Sequence, residues 1–98
     1  MGEENLSTSE TLLLTMHNLC VVKPEIAKTG DELANAIQVA IDHIVNILHE
    51  LEANGYVKSV EDSGVKKFYL TSTGILKVCS VFTQFRQKTL SVKLRINH

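Results

Sequence analysis

The segment ELANAIQVAIDHIVNILHELEANGY, residues 32 to 56, decides how the whole chain is read. Apolar residues recur at helical spacing in two runs: a short one through Leu33, Ala34 and Ile37, and a longer one through Ile41, Ile44, Leu48 and Leu51. A break at Gln38, Val39 and Ala40 separates them. This spacing predicts two amphipathic helices joined by a tight turn. Thr29 and Glu32 stand at capping-box spacing ahead of the first run, with the hydroxyl placed to accept from the Glu32 amide while the carboxylate reaches back. Asn54 and Gly55 close the second run, glycine supplying the left-handed residue at the helix end. From Glu32 to Tyr56 there is no lysine and no arginine.

Upstream, STSETLLLTMHNLC carries Ser7 and Glu10 as another capping box ahead of an apolar run, predicting a helix over residues 8 to 20. VVKPEIAK reads as a connection with a short strand at Ile26. Downstream, YVKSVEDSGVKKFYL changes to a two-residue period in two β-rich runs flanking EDSG, the pattern of a hairpin. LTSTGILKVCSVFTQF returns to helix, with Thr71 as N-cap and a stripe of Ile75, Val78, Cys79, Phe82 and Phe85. The tail alternates Leu90, Val92, Leu94 and Ile96 against Ser91, Lys93, Arg95 and Asn97, the period of a half-buried strand.

The 98 residues, 44% hydrophobic and 21% charged, fit a single globular domain, residues 1 to 98, with 1 to 7 as an N-terminal extension and 89 to 98 as a basic alternating tail. No apolar run reaches the roughly 18 residues that a membrane span requires. The acidic N-terminus lacks the basic and then apolar pattern of a signal peptide, and Leu6 occupies the position where a myristoylation motif has Ser or Thr, so a cytoplasmic protein with no membrane partner is expected. Charge is split along the chain. Residues 1 to 62 hold all 11 acidic side chains against Lys23, Lys28 and Lys58, a net of −8; residues 63 to 98 hold seven cations and no acid, a net of +7. That asymmetry predicts an anionic partner for a basic surface in the last third.

Helix, helix, turn, helix, hairpin, helix is an α+β, mainly α, order, and its motifs resemble those of winged helix-turn-helix transcriptional regulators of the MarR, ArsR and PadR type and their small archaeal and archaeal-virus relatives. The likeness runs over roughly residues 8 to 86. It rests on Leu33, Ala34 and Ile37 before the turn, on Ile44, Leu48 and Leu51 along the buried face of the recognition helix, on LEANGYV at its end, and on FYLTSTG, an aromatic strand followed by Leu-Thr-x-x-Gly. It implies a three-helix core, a β-hairpin wing and a C-terminal helix, to which the alternating tail would add a C-terminal strand, with a recognition helix over about residues 40 to 54 in the major groove of double-stranded DNA. Where such regulators carry Ser or Thr and then basic residues, this chain has Ala40, Ile41, Asp42, His43, Val45, Asn46 and His49.

Base reading without a cation is feasible, since Asn46 or Gln38 can pair with adenine edges and Ile41 or Val45 can touch a thymine methyl. Affinity would then come from phosphate contacts, for which Lys66 and Lys67 after the hairpin turn are the first candidates. The expected DNA-binding set is therefore Gln38, Asp42, His43, Asn46, His49, Lys66 and Lys67. The competing reading is a winged-helix module whose partner is a protein, because apolar residues on an outer helix face also mark interfaces.

The stripe of Ile75, Val78, Cys79, Phe82 and Phe85 serves either the core or a dimer seam. The tail residues Leu90, Val92 and Leu94 need a partner for their apolar side, which favours a homodimer. Cys20 and Cys79 are read as small buried side chains or as a disulfide, within or between chains. His17 and Cys20 share a helix side, but with no second spaced pair no metal site is expected. No nucleophile and base motif, phosphate-binding loop or dinucleotide fingerprint is present, so neither an enzyme nor a cofactor or small-molecule ligand is expected.

Overall fold

The computed structural model describes residues 6–81 and 83. Helix α1 (Thr8–Asn18) leads through a 3-10 turn (Pro24–Ile26) into a two-residue strand, β1 (Lys28–Thr29). Helices α2 (Gly30–Ile37) and α3 (Ile41–Ala53) follow, and then the hairpin strands β2 (Val57–Asp62) and β3 (Val65–Leu70). A fourth helix, α4, starts at residue 72. The strands form an antiparallel sheet in the order β1-β3-β2. This is a winged helix-turn-helix: three helices around one core, with the β2–β3 hairpin as the wing.

Both capping boxes form. Ser7 accepts from the Glu10 amide at 3.1 Å and donates its own amide to the Glu10 carboxylate at 3.0 Å. Thr29 does the same with Glu32, at 3.1 and 2.9 Å. The Thr29 amide, chiefly, holds the Glu32 carboxyl below its ordinary range. The two helices thus begin where their orphan amides are satisfied.

All three helices of the core end in the same way. In a Schellman turn the second residue past the cap donates back five positions, and the residue before it adopts a left-handed conformation. Tyr56 donates to Leu51 at 2.9 Å and Gly55 to Glu52 at 3.0 Å, with Gly55 at φ +80°. Val39 donates to Ala34 and Gln38 to Asn35 at the end of α2, where Gln38 has φ 58°. Val21 donates to Met16 and Cys20 to His17 at the end of α1, where Cys20 has φ 61°. The first helix therefore stops at Asn18, short of the expected residue 20.

The expected strand at Ile26 is displaced. Pro24, with its fixed φ and no amide hydrogen, starts a 3-10 turn that leaves Ile26 exposed, and pairing begins two residues on, with Lys28 opposite Phe68 and Thr29 opposite Lys67. The hairpin turn is tighter than EDSG. Asp62 still pairs with Val65, and Ser63 and Gly64, at φ 54° and 80°, make the two-residue turn with both angles positive that suits a twisted ribbon.

The core joins Leu12, Leu13 and Met16 of α1, Leu33 and Ala34 of α2, Ile44, Ile47, Leu48 and Leu51 of α3, Val57 and Leu70 of the hairpin, and Val78 of α4. No polar side chain is buried among the described residues. The Leu70 amide donates to the Val21 carbonyl at 2.8 Å, tying β3 to the exit of α1.

One junction couples α3, the wing and α4. Tyr56, the residue that completes the Schellman turn of α3, presents its carbonyl to the Thr71 amide at 3.0 Å. The Thr71 hydroxyl lies 2.6 Å from the Gly55 carbonyl and 3.1 Å from that of Tyr56, and accepts from the Gly74 amide at 3.0 Å as the N-cap of α4. A Cβ on Gly74 would overlap the Tyr56 carbonyl and sit 2.8 Å from the Leu70 side chain. The Thr-x-x-Gly spacing of this motif is thus a packing requirement.

Two outcomes follow from these contacts. Gly74→Ala should lower stability in urea unfolding by about 1–3 kcal/mol despite the better helix propensity of alanine, whereas a gain in stability would contradict the close approach. Because the Glu32 carboxyl is held below its usual value, its contribution is complete above the unfolded value and declines as pH falls through the folded one. Wild type should accordingly be more stable than Glu32→Gln at pH 7, and the two urea midpoints should converge below about pH 4.

Candidate nucleic-acid interface

Helix α3 has two faces. Ile44, Ile47, Leu48 and Leu51 face inward, while Asp42, His43, Asn46 and His49 are exposed, as is Gln38 in the preceding turn. Asp42, Asn46 and His49 follow helical spacing and form one stripe. Ile41 and Val45 border it at 38% and 39% exposure. All five residues expected to read bases are exposed, with His43 set off to the side of the Asp42, Asn46 and His49 stripe.

The start of α3 is uncapped, since Ala40 offers no side chain to its free amides. The carboxylate of Asp42 in the first turn complements the positive helix end instead. Gln38 holds a left-handed backbone that other turns of this kind give to glycine. That conformation aims its side chain outward ahead of α3, at a conformational cost to the fold.

The wing is braced against α3 rather than projecting freely. Ser59 donates its hydroxyl to the Glu52 carboxylate at 2.9 Å, and the other Glu52 oxygen lies 3.9 Å from the Lys66 ammonium. That ammonium also lies 5.4 Å from the centre of the Phe68 ring. Lys67 pairs with Asp62 at 3.2 Å. As adjacent residues of one strand, Lys66 and Lys67 point to opposite faces of the hairpin. The two lysines expected to meet phosphate thus face different sides of the hairpin, and each has a carboxylate partner. The sequence hid this because Glu52 lies fourteen positions before Lys66.

Along α4, Gly74, Val78 and Val81 are buried. Val78 belongs to the chain's own core, and Ile75 packs against it. Of the two readings of this stripe, Val78 and Ile75 thus follow the core one, and the open face of α4 carries Leu76, 71% exposed, with Cys79, Ser80 and Thr83. Leu76 was missed because the apolar stripe drawn from sequence passes beside it. Phe82, Phe85, Leu90, Val92 and Leu94 lie outside the described residues.

Cys20 and Cys79 are free and exposed, which corrects both the buried reading and a bond within the chain. His17 and Cys79 line an apolar cavity of about 230 Å³ with Leu14, Asn18 and Val78 between α1 and α4. Among the described residues no three metal-ligating side chains converge. No helix among them is long and apolar enough to cross a membrane.

No protein-family model matches the chain, and no curated protein does. Solved structures do. A MarR family protein from Bacillus stearothermophilus aligns over 90% of this chain and 59% of its own, at 20% identity and a TM-score of 0.71. A mutant of MepR from S. aureus aligns over 96% and 68%, at 18% identity and a TM-score of 0.78. The DNA-binding TubR fragment from Clostridium botulinum aligns over 79% and 96%, at 20% identity and a TM-score of 0.67. The chain spans about three fifths of the length of the first two matching proteins. At such identities the likeness is one of fold, and the fold is that of MarR-type winged-helix domains.

The turn offers a direct check of the strain assigned to Gln38. Gln38→Gly should stabilise the protein in urea unfolding by about 0.5–1 kcal/mol, the left-handed penalty less the entropy cost of glycine; an unchanged or lower stability would show that the turn stores no strain.

Proposed function

We propose that this chain is a cytoplasmic DNA-binding transcription regulator in which α3 lies in the major groove and reads bases while the wing contacts the phosphate backbone or minor groove. The observation that carries the reading is the open outer stripe of α3, where Gln38, Asn46 and His49 offer hydrogen-bonding groups to solvent beside a hairpin fixed in place by Glu52. Similar solved structures support it: one is a complex of MepR from S. aureus with DNA, and another is a DNA-binding fragment of TubR.

In this reading affinity and specificity have different sources. Asn46 and Gln38 suit adenine edges, and Ile41 and Val45 suit thymine methyl groups, so the helix discriminates among A·T-containing sites. With Asp42 in its first turn and no cation of its own, it adds little attraction for phosphate. Cations of the last third supply that attraction. A two-fold homodimer through the open face of α4 around Leu76, with the tail, would place two such helices on half-sites one helical turn apart.

The specific observation that favours a protein partner instead is the exposure of Ile41 and Val45 on the same helix. Fluorescence anisotropy of a labelled random-sequence duplex across a salt series separates the two readings. DNA binding through about four to six cations predicts a log–log slope near −4 to −5, weakened in Lys66→Ala/Lys67→Ala. Absence of binding by folded protein at about 50 mM salt would favour the protein partner.

A further inference from the structure

The hairpin from Val57 to Leu70 carries three lysines, Lys58, Lys66 and Lys67, and two carboxylates, Glu61 and Asp62. Adding Glu52, which reaches the hairpin from α3, brings the local sum to zero. Two of the three lysines are also engaged with carboxylates. Lys66 lies directly across the ladder from Glu61 and within 3.9 Å of Glu52, and Lys67 is 3.2 Å from Asp62. A net charge of +7 in the last third of the sequence is thus absent from the wing itself.

Granting the DNA-binding role proposed above, we propose that Glu52 and Asp62 limit the affinity of the wing: each holds a lysine in an ion pair that a phosphate must displace. Both pairs are solvent-exposed and individually weak, so they open readily. Their effect lies in the carboxylates that stay behind. When Lys66 or Lys67 turns to a phosphate, an uncompensated anion remains a few ångströms away, well inside the Debye length of about 8 Å at physiological salt. The attraction common to every DNA sequence is reduced, while base contacts by Asn46 and Gln38 are untouched. A term shared by all sites cancels from the difference of affinities that defines specificity, so the two carboxylates weaken the hold on every duplex alike and leave discrimination to α3. Glu52 is at the same time a positioning residue, because its second oxygen accepts from Ser59 and sets the wing on α3.

Glu52→Gln keeps an acceptor for Ser59 and Asp62→Asn keeps the turn length, so both remove charge with little change of shape. Glu10→Gln makes the same charge change at the α1 cap, where glutamine serves as well as glutamate. The probe is a labelled random-sequence duplex followed by anisotropy from about 50 to 200 mM salt. The double variant Glu52→Gln/Asp62→Asn should bind roughly fivefold tighter than wild type or more, with a log–log slope steeper by about 1, each single variant should lie between, and Glu10→Gln should match wild type. If wild type binds and Asp62→Asn and the double variant bind no tighter, the inference fails and the DNA-binding reading stands. A comparable gain in Glu10→Gln would also overturn it, by making the effect one of net charge. If neither wild type nor the double variant binds any duplex, the DNA-binding reading fails and the inference with it.

Discussion

The Tyr56 carbonyl is the point through which the described parts of the molecule are held in register. It belongs to the residue that completes the end of α3, it accepts the amide of Thr71, and it leaves room for α4 only if residue 74 has no side chain. A shift there would move α3, the root of the wing and the start of α4 together. Because the Thr71 hydroxyl also caps α4, a single threonine and a single glycine fix the angle at which α4 leaves the hairpin. The open face of α4 around Leu76, where the proposed dimer would form, inherits its direction from this junction.

Much of the architecture was legible because local signals and the global fold agree. Ser7 with Glu10 and Thr29 with Glu32 marked helix starts that depend only on neighbouring backbone, and the buried faces of α1 and α3 followed helical spacing. What escaped was set by tertiary context. Gln38 and Cys20 occupy left-handed positions without the glycine that would have announced them, so two of the three helix ends carried no signature. Strand β1 is two residues long and exists only because β3 lies beside it. Which side of α4 is buried is set by its packing on the core, and a stripe read from sequence alone mixed Val78, which is buried, with Cys79, which is not.

The exposure of the candidate residues was legible in the sequence, but the electrostatics around them were not. All five residues expected on the reading side, from Gln38 to His49, are exposed together. The charge split between the two halves of the chain suggested a basic wing, yet folding brings acids of the first half against lysines of the second: Glu52 to Lys66, and Asp62 to Lys67. Segment charge counts treat a chain as linear, and here the fold mixes the signs. In the proposed reading the helix offers polar and apolar groups to bases, while Lys66 and Lys67 are available to phosphate only in competition with Glu52 and Asp62.

The central claim is that the outer face of α3 and the hairpin together form one DNA surface. The most direct test is an amide NMR titration of isotope-labelled protein with a duplex. The account predicts shift changes concentrated at Gln38, Asp42, His43, Asn46 and His49 and at the hairpin turn around Ser63 and Gly64, with the buried side of α3 unaffected. Changes confined to α1 and α4, or none along α3 while the duplex is bound, would contradict it.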